Sequence, residues 1–334
     1  MDYLKYLIED IKINEKYKTL DNLINDDDIL ELIDNEDWEK LKRIIPKELI
    51  LNFIHVVQEG LGINLIGRDK LFSPIIPEEY FKNIELPDRV AIPNGIKKIG
   101  ESAFFGCKSL KNVIIPTSVT SIGSFAFSGC SSLTSIIIPD GVTSIEGYAF
   151  SDCSSLTSIV IPDSVTSIEK GAFFGCSSLT SIIIPDGVTS IGSFAFYNCS
   201  SLTSIVIPDS VTSIPYRAFS GCTFLTSVTM GNGVTSIGDN AFFDCYYLKS
   251  ITIGNGVTSI GEYAFSDCTS LTSIVLPDSV TSIGGSAFTR CKSLKKINYS
   301  GTMIEWENNI TKHKDWNDRS NVFEVICTDG TIPL

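Results

Sequence analysis

The sequence predicts a repeat solenoid, a chain wound into stacked coils with one short β-strand in each coil. Nine of the ten cysteines fall at a constant step of 23 residues, from Cys107 to Cys291. An Ala-Phe pair and a leucine keep the same step, starting from Ala103-Phe104 and Leu110. Self-similarity at a fixed step of roughly 20 to 50 residues is the signature of stacked repeats.

The strand occupies the first six residues of each unit. The unit that begins at Leu133 reads Leu-Thr-Ser-Ile-Ile-Ile-Pro-Asp-Gly, which fits the Leu-x-x-Leu-x-Leu strand of leucine-rich repeats. Because side chains alternate along a strand, Ile136 and Ile138 should face the core while Ser135 and Ile137 face the other way. Proline ends the strand, since it lacks the backbone donor that a sheet needs.

The second half of the unit returns to the core after the Pro-Asp-Gly turn. Val142 and Ile145 should be buried, followed by Ala149, Phe150 and Cys153 in a short helical or irregular turn on the outer side. One unit cannot bury its apolar side alone, so each must stack on its neighbours. At a strand spacing of about 4.8 Å, nine units make a body roughly 40 Å long.

The cysteine column predicts buried, reduced core thiols. Free cysteine usually behaves as a small apolar residue, and a disulfide between identical inward positions needs a specific side-chain geometry at every step. The sequence has no Cys-x-x-Cys pair, and its only histidines are His55 and His313. We therefore expect no metal, no cofactor and no catalytic residues in the repeats.

The repeat also carries a family resemblance. The unit Leu-x-x-Ile-x-Ile-Pro-x-x-Val-x-x-Ile-Gly-x-x-Ala-Phe-x-x-Cys-x-x resembles the BspA-like (Treponema pallidum-type) leucine-rich-repeat family over residues 89 to 299, and the segment with Trp306, Trp316 and Cys327 is similar to that family's end cap. The resemblance implies a right-handed superhelix with a parallel β-sheet on its concave face. It also implies a role in adhesion or protein interaction, often at cell surfaces.

Three parts are predicted along the chain. Residues 1 to 88 lack the repeat and read as a helical N-terminal domain and cap, because Leu4, Leu7, Ile8 and Ile11 follow the spacing of one helix face. Residues 89 to 299 form the solenoid, and residues 300 to 334 form a C-terminal cap.

The outward strand positions are the candidate partner-binding site, here named the strand strip. An apolar column edged by hydroxyls is typical of an interaction surface, although β-branched residues also simply favour strands. The strand strip consists of Ile114, Ile137, Val160, Ile183, Val206, Thr229, Thr252 and Val275 with Ser135, Ser158, Ser181 and Ser204.

Charge and composition limit the classes of partner that the protein can bind. A net charge of -13 disfavours nucleic acid, which needs clustered Lys and Arg. No apolar run approaches the roughly 20 residues that span a bilayer. We expect a protein partner and favour a monomer. The absence of a signal peptide favours the cytoplasm, whereas the family resemblance favours the cell surface.

Three functions are consistent with the sequence. The first is a non-enzymatic protein-binding module, and the second is an adhesin or structural spacer. The third is an enzyme or effector built on residues 1 to 88, although no catalytic motif occurs there.

Overall fold

The computed structural model describes residues 51, 54, 75–76, 81–82, 85–318 and 324–334. Over these residues the chain is a parallel β-solenoid of about nine coils, so the predicted fold is confirmed. The helices expected in residues 1 to 88 lie almost wholly outside the described residues.

The strands are, in chain order, β1 (Ile75–Ile76), β2 (Arg89–Ala91), β3 (Lys98–Ile99), β4 (Asn112–Ile114), β5 (Ser121–Ile122), β6 (Ser135–Ile137), β7 (Ser144–Ile145), β8 (Ser158–Val160), β9 (Ser167–Ile168), β10 (Ser190–Ile191), β11 (Ser204–Ile207), β12 (Ser213–Ile214), β13 (Ser227–Met230), β14 (Ser236–Ile237), β15 (Ser250–Thr252), β16 (Ser259–Ile260), β17 (Ser273–Leu276), β18 (Ser282–Ile283), β19 (Lys296–Tyr299), β20 (Thr311–Lys312), β21 (Glu324–Cys327) and β22 (Gly330–Pro333).

Two ladders of strands run along the solenoid. The main ladder joins β2, β4, β6 and β8, then continues as β11, β13, β15, β17, β19 and β21, all in parallel pairs, and the antiparallel β22 ends it. The second ladder contains two-residue strands, from β1-β3-β5 through β7-β9-β10 to β12-β14-β16-β18-β20. It begins at Ile75, within the segment that the sequence assigned to the N-terminal domain.

Burial follows the predicted alternation in the strands. Ile136 and Ile138 are buried, while Ile137 between them is exposed. In the second half of the same unit, Val142 and Ile145 are buried as expected. The short strand that contains Ile145 was not predicted.

The outer turn of each coil is irregular, and two residues in it have a left-handed backbone. In one coil these are Tyr148, with φ 55°, and Asp152, with φ 55°. The second position is Gly, Asn or Asp in most coils, residues that tolerate this region. The first of the two positions carries a bulky residue in several coils, such as Phe125 or Phe194. Because bulky residues avoid the left-handed region, hydrogen bonds between coils must hold the backbone in it. One such bond joins the Phe150 N–H to the Ala172 carbonyl at 2.9 Å.

A continuous stack of phenylalanine rings fills the core. It runs from Phe81 to Phe288, one ring per coil, with ring centroids 5.0 to 5.7 Å apart and nearly parallel planes. These rings are fully buried. Each therefore contributes burial and stacking to two neighbouring coils at once.

The cysteine column lies beside this stack. Each repeat thiol is free and buried, and each donates its S–H to the carbonyl of a phenylalanine in a preceding coil. Cys130 reaches Phe104 at 3.2 Å and Cys291 reaches Phe265 at 3.0 Å. The predicted burial of the column is thus confirmed, and the thiol gains a polar partner that the sequence did not indicate.

The C-terminal segment covers the last coil. Trp316 packs edge-on against Phe288 with ring centroids 6.0 Å apart, and Trp306 packs against Trp316 at 5.8 Å. Trp306 lies on helix α1 (Met303–Asn308), which begins with a capping box. The side chains of Thr302 and Glu305 each accept a backbone N–H from the other residue, satisfying donors that the first turn leaves free.

Replacing the N-cap should loosen this end of the protein. Thr302→Ala removes one acceptor and should cost about 1 kcal/mol of local stability. Hydrogen exchange at the Trp306 and Asn309 amides, which donate within α1, should accelerate about fivefold, whereas the exposed Ile304→Leu should leave it unchanged. Equal exchange in the two variants would contradict the capping role.

The same cap should weaken in acid. Hydrogen bonds from the Thr302 backbone N–H and then its side chain lower the pKa of Glu305 below its usual 4.5. A carboxyl group with a lowered pKa contributes stability that is complete above its unfolded pKa and is lost as pH falls through the folded one. The protection factor of the same amides, which is the exchange rate of an unstructured peptide divided by the observed rate at the same pH, should therefore fall below about pH 4.

Candidate protein-binding surface

The strand strip lies on the outward face of the main ladder. Its aliphatic members are exposed, from 41% for Ile114 to 81% for Ile183. Strand pairing aligns them in register, so that Ile137 lies beside Val160 and Val206 beside Thr229. The structure therefore brings the predicted residues together in one column.

The hydroxyl column follows the strip along its length. Ser158, Ser181 and Ser204 are exposed, and Ser135 is half-buried. Ser135 pairs in register with Ser158. Each coil from Ser135 to Ser273 thus presents one hydroxyl and one outward strand side chain on the same face.

The strip changes character along the solenoid. The first five members are Ile or Val, and the next two are Thr229 and Thr252. Threonine also flanks the strand in the five coils from Thr134 to Thr226, whereas lysine takes that place at Lys249. Lysine also takes it at Lys111, beside Ile114. The stretch of the strip from Ile137 to Val206 is therefore both apolar and flanked by uncharged residues, a composition typical of the centre of an interface.

The main ladder is interrupted in the middle of that stretch. Residues 181–183 follow the path of a strand without sheet pairing of their own. Backbone hydrogen bonds one residue earlier continue, from Thr180 N–H to the Thr157 carbonyl at 3.3 Å and from Thr203 N–H to Thr180 at 3.2 Å. Ile183, which lies at this interruption, is the most exposed member of the strip.

Two other side-chain types repeat at fixed positions, an aspartate after the strand proline and a threonine three residues after that aspartate. Aspartate is an ordinary turn residue after proline, and Asp209 also accepts a hydrogen bond from the Asn232 backbone N–H of the next coil at 2.7 Å. Among the threonines, the Thr166 hydroxyl donates to the Thr143 carbonyl at 3.2 Å. These hydrogen bonds join neighbouring coils.

The thiols have the environment of core residues. Burial raises the pKa of Cys199 well above its usual value of 9.0 and that of Cys291 to about 12, which keeps these thiols protonated and unreactive. Within the described part of the chain, no group of His, Cys, Asp and Glu is arranged to hold a metal ion. Among the same residues no helix has the length and apolar character to cross a bilayer.

One surface feature interrupts the repeat. Exposed aromatic residues occur at Phe224, Tyr246 and Tyr247, where other coils carry serine, threonine or lysine. The structure adds a groove beside Tyr246, lined also by Asn198 and Asp244. Its other lining residues are ordinary repeat positions, so the sequence offered no separate signal for them.

Comparison with known proteins gives a consistent result. A family model described as BspA type Leucine rich repeat region matches residues 74–203 and 189–315, in six copies. The search of curated proteins returned no match.

Solved structures are also similar. A leucine-rich repeat protein from Bacteroides ovatus is 34% identical with a TM-score of 0.65, and the match covers 72% of this chain and 63% of that one. The chain therefore spans less than two thirds of that protein's length. The T. pallidum leucine-rich repeat protein is 32% identical with a TM-score of 0.47, and the match covers 59% of this chain and 82% of that one.

Proposed function

Since the chain belongs to the BspA-type leucine-rich-repeat family, we propose that it is a non-enzymatic binding protein that holds another protein along the strand strip. Proteins of this family are generally protein-interaction or surface proteins. The observation that carries the proposal is the uncharged column of exposed Ile and Val from Ile114 to Val206. Repeat proteins commonly bind partners through such extended surfaces.

Exposing these apolar side chains to water costs free energy, and the fold does not require apolar residues at their positions. A polar residue is tolerated at the same position, as Thr229 and Thr252 show within this chain. Burying an Ile or Val side chain against a partner is worth about 1.5 to 3 kcal/mol at most. Several such residues in a row therefore supply enough free energy for specific binding, after the entropic cost of association.

Three lysine substitutions test the proposal. Ile137→Lys, Ile183→Lys and Val206→Lys together should weaken partner binding at least tenfold, because each places a charge against a surface that becomes desolvated. The measurement is capture of partners from the native cell or its host, followed by titration of the purified partner against the full chain.

A matched control uses the same three coils. Thr143→Lys, Thr189→Lys and Thr212→Lys add the same charge at exposed positions six residues further along. This control should bind like the wild type, and circular dichroism should show both variants folded. If the two triple variants bind the partner with equal affinity, the strand strip is not part of the binding site.

A spacer function is favoured by one further observation. Several coils are nearly identical, as in the units that begin at Leu133 and Leu179, which suits many weak contacts acting together. If many weak contacts act together, deleting half of the coils should weaken partner binding without abolishing it. If there is one binding site, the same deletion should either abolish partner binding or leave it unchanged.

A further inference from the structure

A polar groove crosses four successive coils at the residues directly before and after each cysteine from Cys176 to Cys245. Its volume is about 390 Å³, and its lining includes Gly175, Asn198, Gly221 and Asp244. This volume lies within the roughly 300 to 1,000 Å³ of small-molecule sites. The groove belongs to the turn before the strand and contains no member of the strand strip.

The repeat departs from its own pattern beside this groove. Seven of the nine repeats have serine at the second position after the cysteine, but Phe224 and Tyr247 replace it in two adjacent coils. The first position is Tyr246 in the second of these coils. The Phe224 and Tyr247 rings stack with centroids 5.2 Å apart, yet both remain about half exposed. Stable coils with Ser-Ser at these positions show that the fold does not need these rings.

The groove presents hydrogen-bond acceptors to solvent. The Ser177 and Ser200 hydroxyls donate to carbonyls of preceding coils at 3.4 and 3.3 Å, and the Thr223 hydroxyl donates to the Gly221 carbonyl at 3.3 Å. Since each hydroxyl has one proton, its lone pairs are what remain for a ligand. A complementary ligand must therefore be rich in donors.

Asp244 is the strongest acceptor in the groove. It is half-buried and accepts a hydrogen bond from the Tyr246 hydroxyl, while burial raises its pKa. A desolvated carboxylate makes strong charge-assisted hydrogen bonds with hydroxyl donors. The Arg290 guanidinium forms an ion pair with the neighbouring Asp267 at 3.4 Å, so the charge of Arg290 is already paired.

We propose that this groove binds a neutral oligosaccharide, with its hydroxyls on Asp244, Asn198 and the groove hydroxyls and a sugar face against Tyr246. Aromatic faces are electron-rich and attract the polarised C–H groups of a sugar ring. The coils repeat every 4.8 Å or so, comparable to the length of one pyranose ring, so successive sugars meet successive coils. Anionic sugars are disfavoured because the chain carries a net charge of -13.

The test is an array of neutral oligosaccharides of the glucan, mannan, xylan and galactan series, probed with the full chain. At least one series should bind, and calorimetry with that oligosaccharide gives the affinity. Tyr246→Ser should weaken binding at least tenfold, and Asp244→Asn should weaken it as well. Both replacements occur naturally at the matching positions of other coils, Ser200 and Asn198, so folding should be preserved.

The control is Tyr263→Ser, which removes an exposed tyrosine outside the groove and installs the residue found at Ser286. It should bind the oligosaccharide like the wild type, and so should the triple lysine variant of the strand strip. Absence of binding to every series, or equal affinity of Tyr246→Ser and Tyr263→Ser, would overturn the proposal. Loss of a captured protein partner on Tyr246→Ser, with no oligosaccharide bound, would assign the groove to that protein instead.

Discussion

Phe196→Ala should lower the free energy of unfolding by about 3 to 5 kcal/mol, the range found for emptying a buried aromatic site. The Phe196 ring is fully buried and stacks between Phe173 and Phe219, with centroids 5.4 and 5.1 Å away. Backbone hydrogen bonds fix the spacing of the coils, so the neighbouring rings cannot close the gap. Urea denaturation followed by circular dichroism measures the loss.

Phe224→Ser is the matched control for this prediction. It removes the same ring from an exposed site in the next coil and restores the serine found in most coils, so stability should change by no more than about 0.5 kcal/mol. Because each coil contacts only its neighbours, Phe196→Ala should also separate unfolding into two transitions. Equal destabilisation by the two variants would show that the stack does not hold the coils together.

Raising the pH from 8 to 10 should produce an abrupt loss of stability. The eight thiols from Cys130 to Cys291 have pKa values raised by burial above the usual 9.0. A raised pKa contributes stability that is complete below the unfolded pKa and is lost as pH rises towards the folded one. Each thiol then removes at most about 1.4 kcal/mol per pH unit above that point. Eight together remove on the order of 10 kcal/mol by pH 10, which is comparable to the usual stability of a domain.

Urea titrations at pH 8, 9 and 10, in the presence of a reducing agent, measure this effect. Replacing Cys176, Cys199 and Cys222 by Ala should flatten the alkaline slope by about three eighths. Iodoacetamide at pH 8 should label the repeat thiols only in denaturant. An unchanged slope in the triple variant would mean that tyrosine or lysine ionisation causes the alkaline loss.

The strands and the core were predictable because their signal is local and repeated. Alternation alone places Ile136 and Ile138 inside and Ile137 outside, as observed. The constant position of cysteine similarly indicated a buried column. These features depend on residues within one unit, so the sequence contains them directly.

Features that depend on neighbouring coils were not predictable. The two-residue strand Ser144–Ile145 is too short to show alternation, and its pairing with Ser167–Ile168 comes from stacking. The left-handed backbone at Tyr148 has no glycine to indicate it. Asn198 and Asp244 line one groove although 46 positions separate them. Such contacts arise only once the coils are superimposed.

The uniform interface between coils also makes the repeat number adjustable. Every coil offers the next one the same phenylalanine ring and the same carbonyl acceptor for its thiol, while Trp316 closes the stack at Phe288. Inserting or deleting one 23-residue unit between the ends therefore exchanges one set of contacts for an identical set. Gene duplication within the repeat could lengthen the body in increments of about 4.8 Å, so evolution can set the reach of the molecule without redesigning its core.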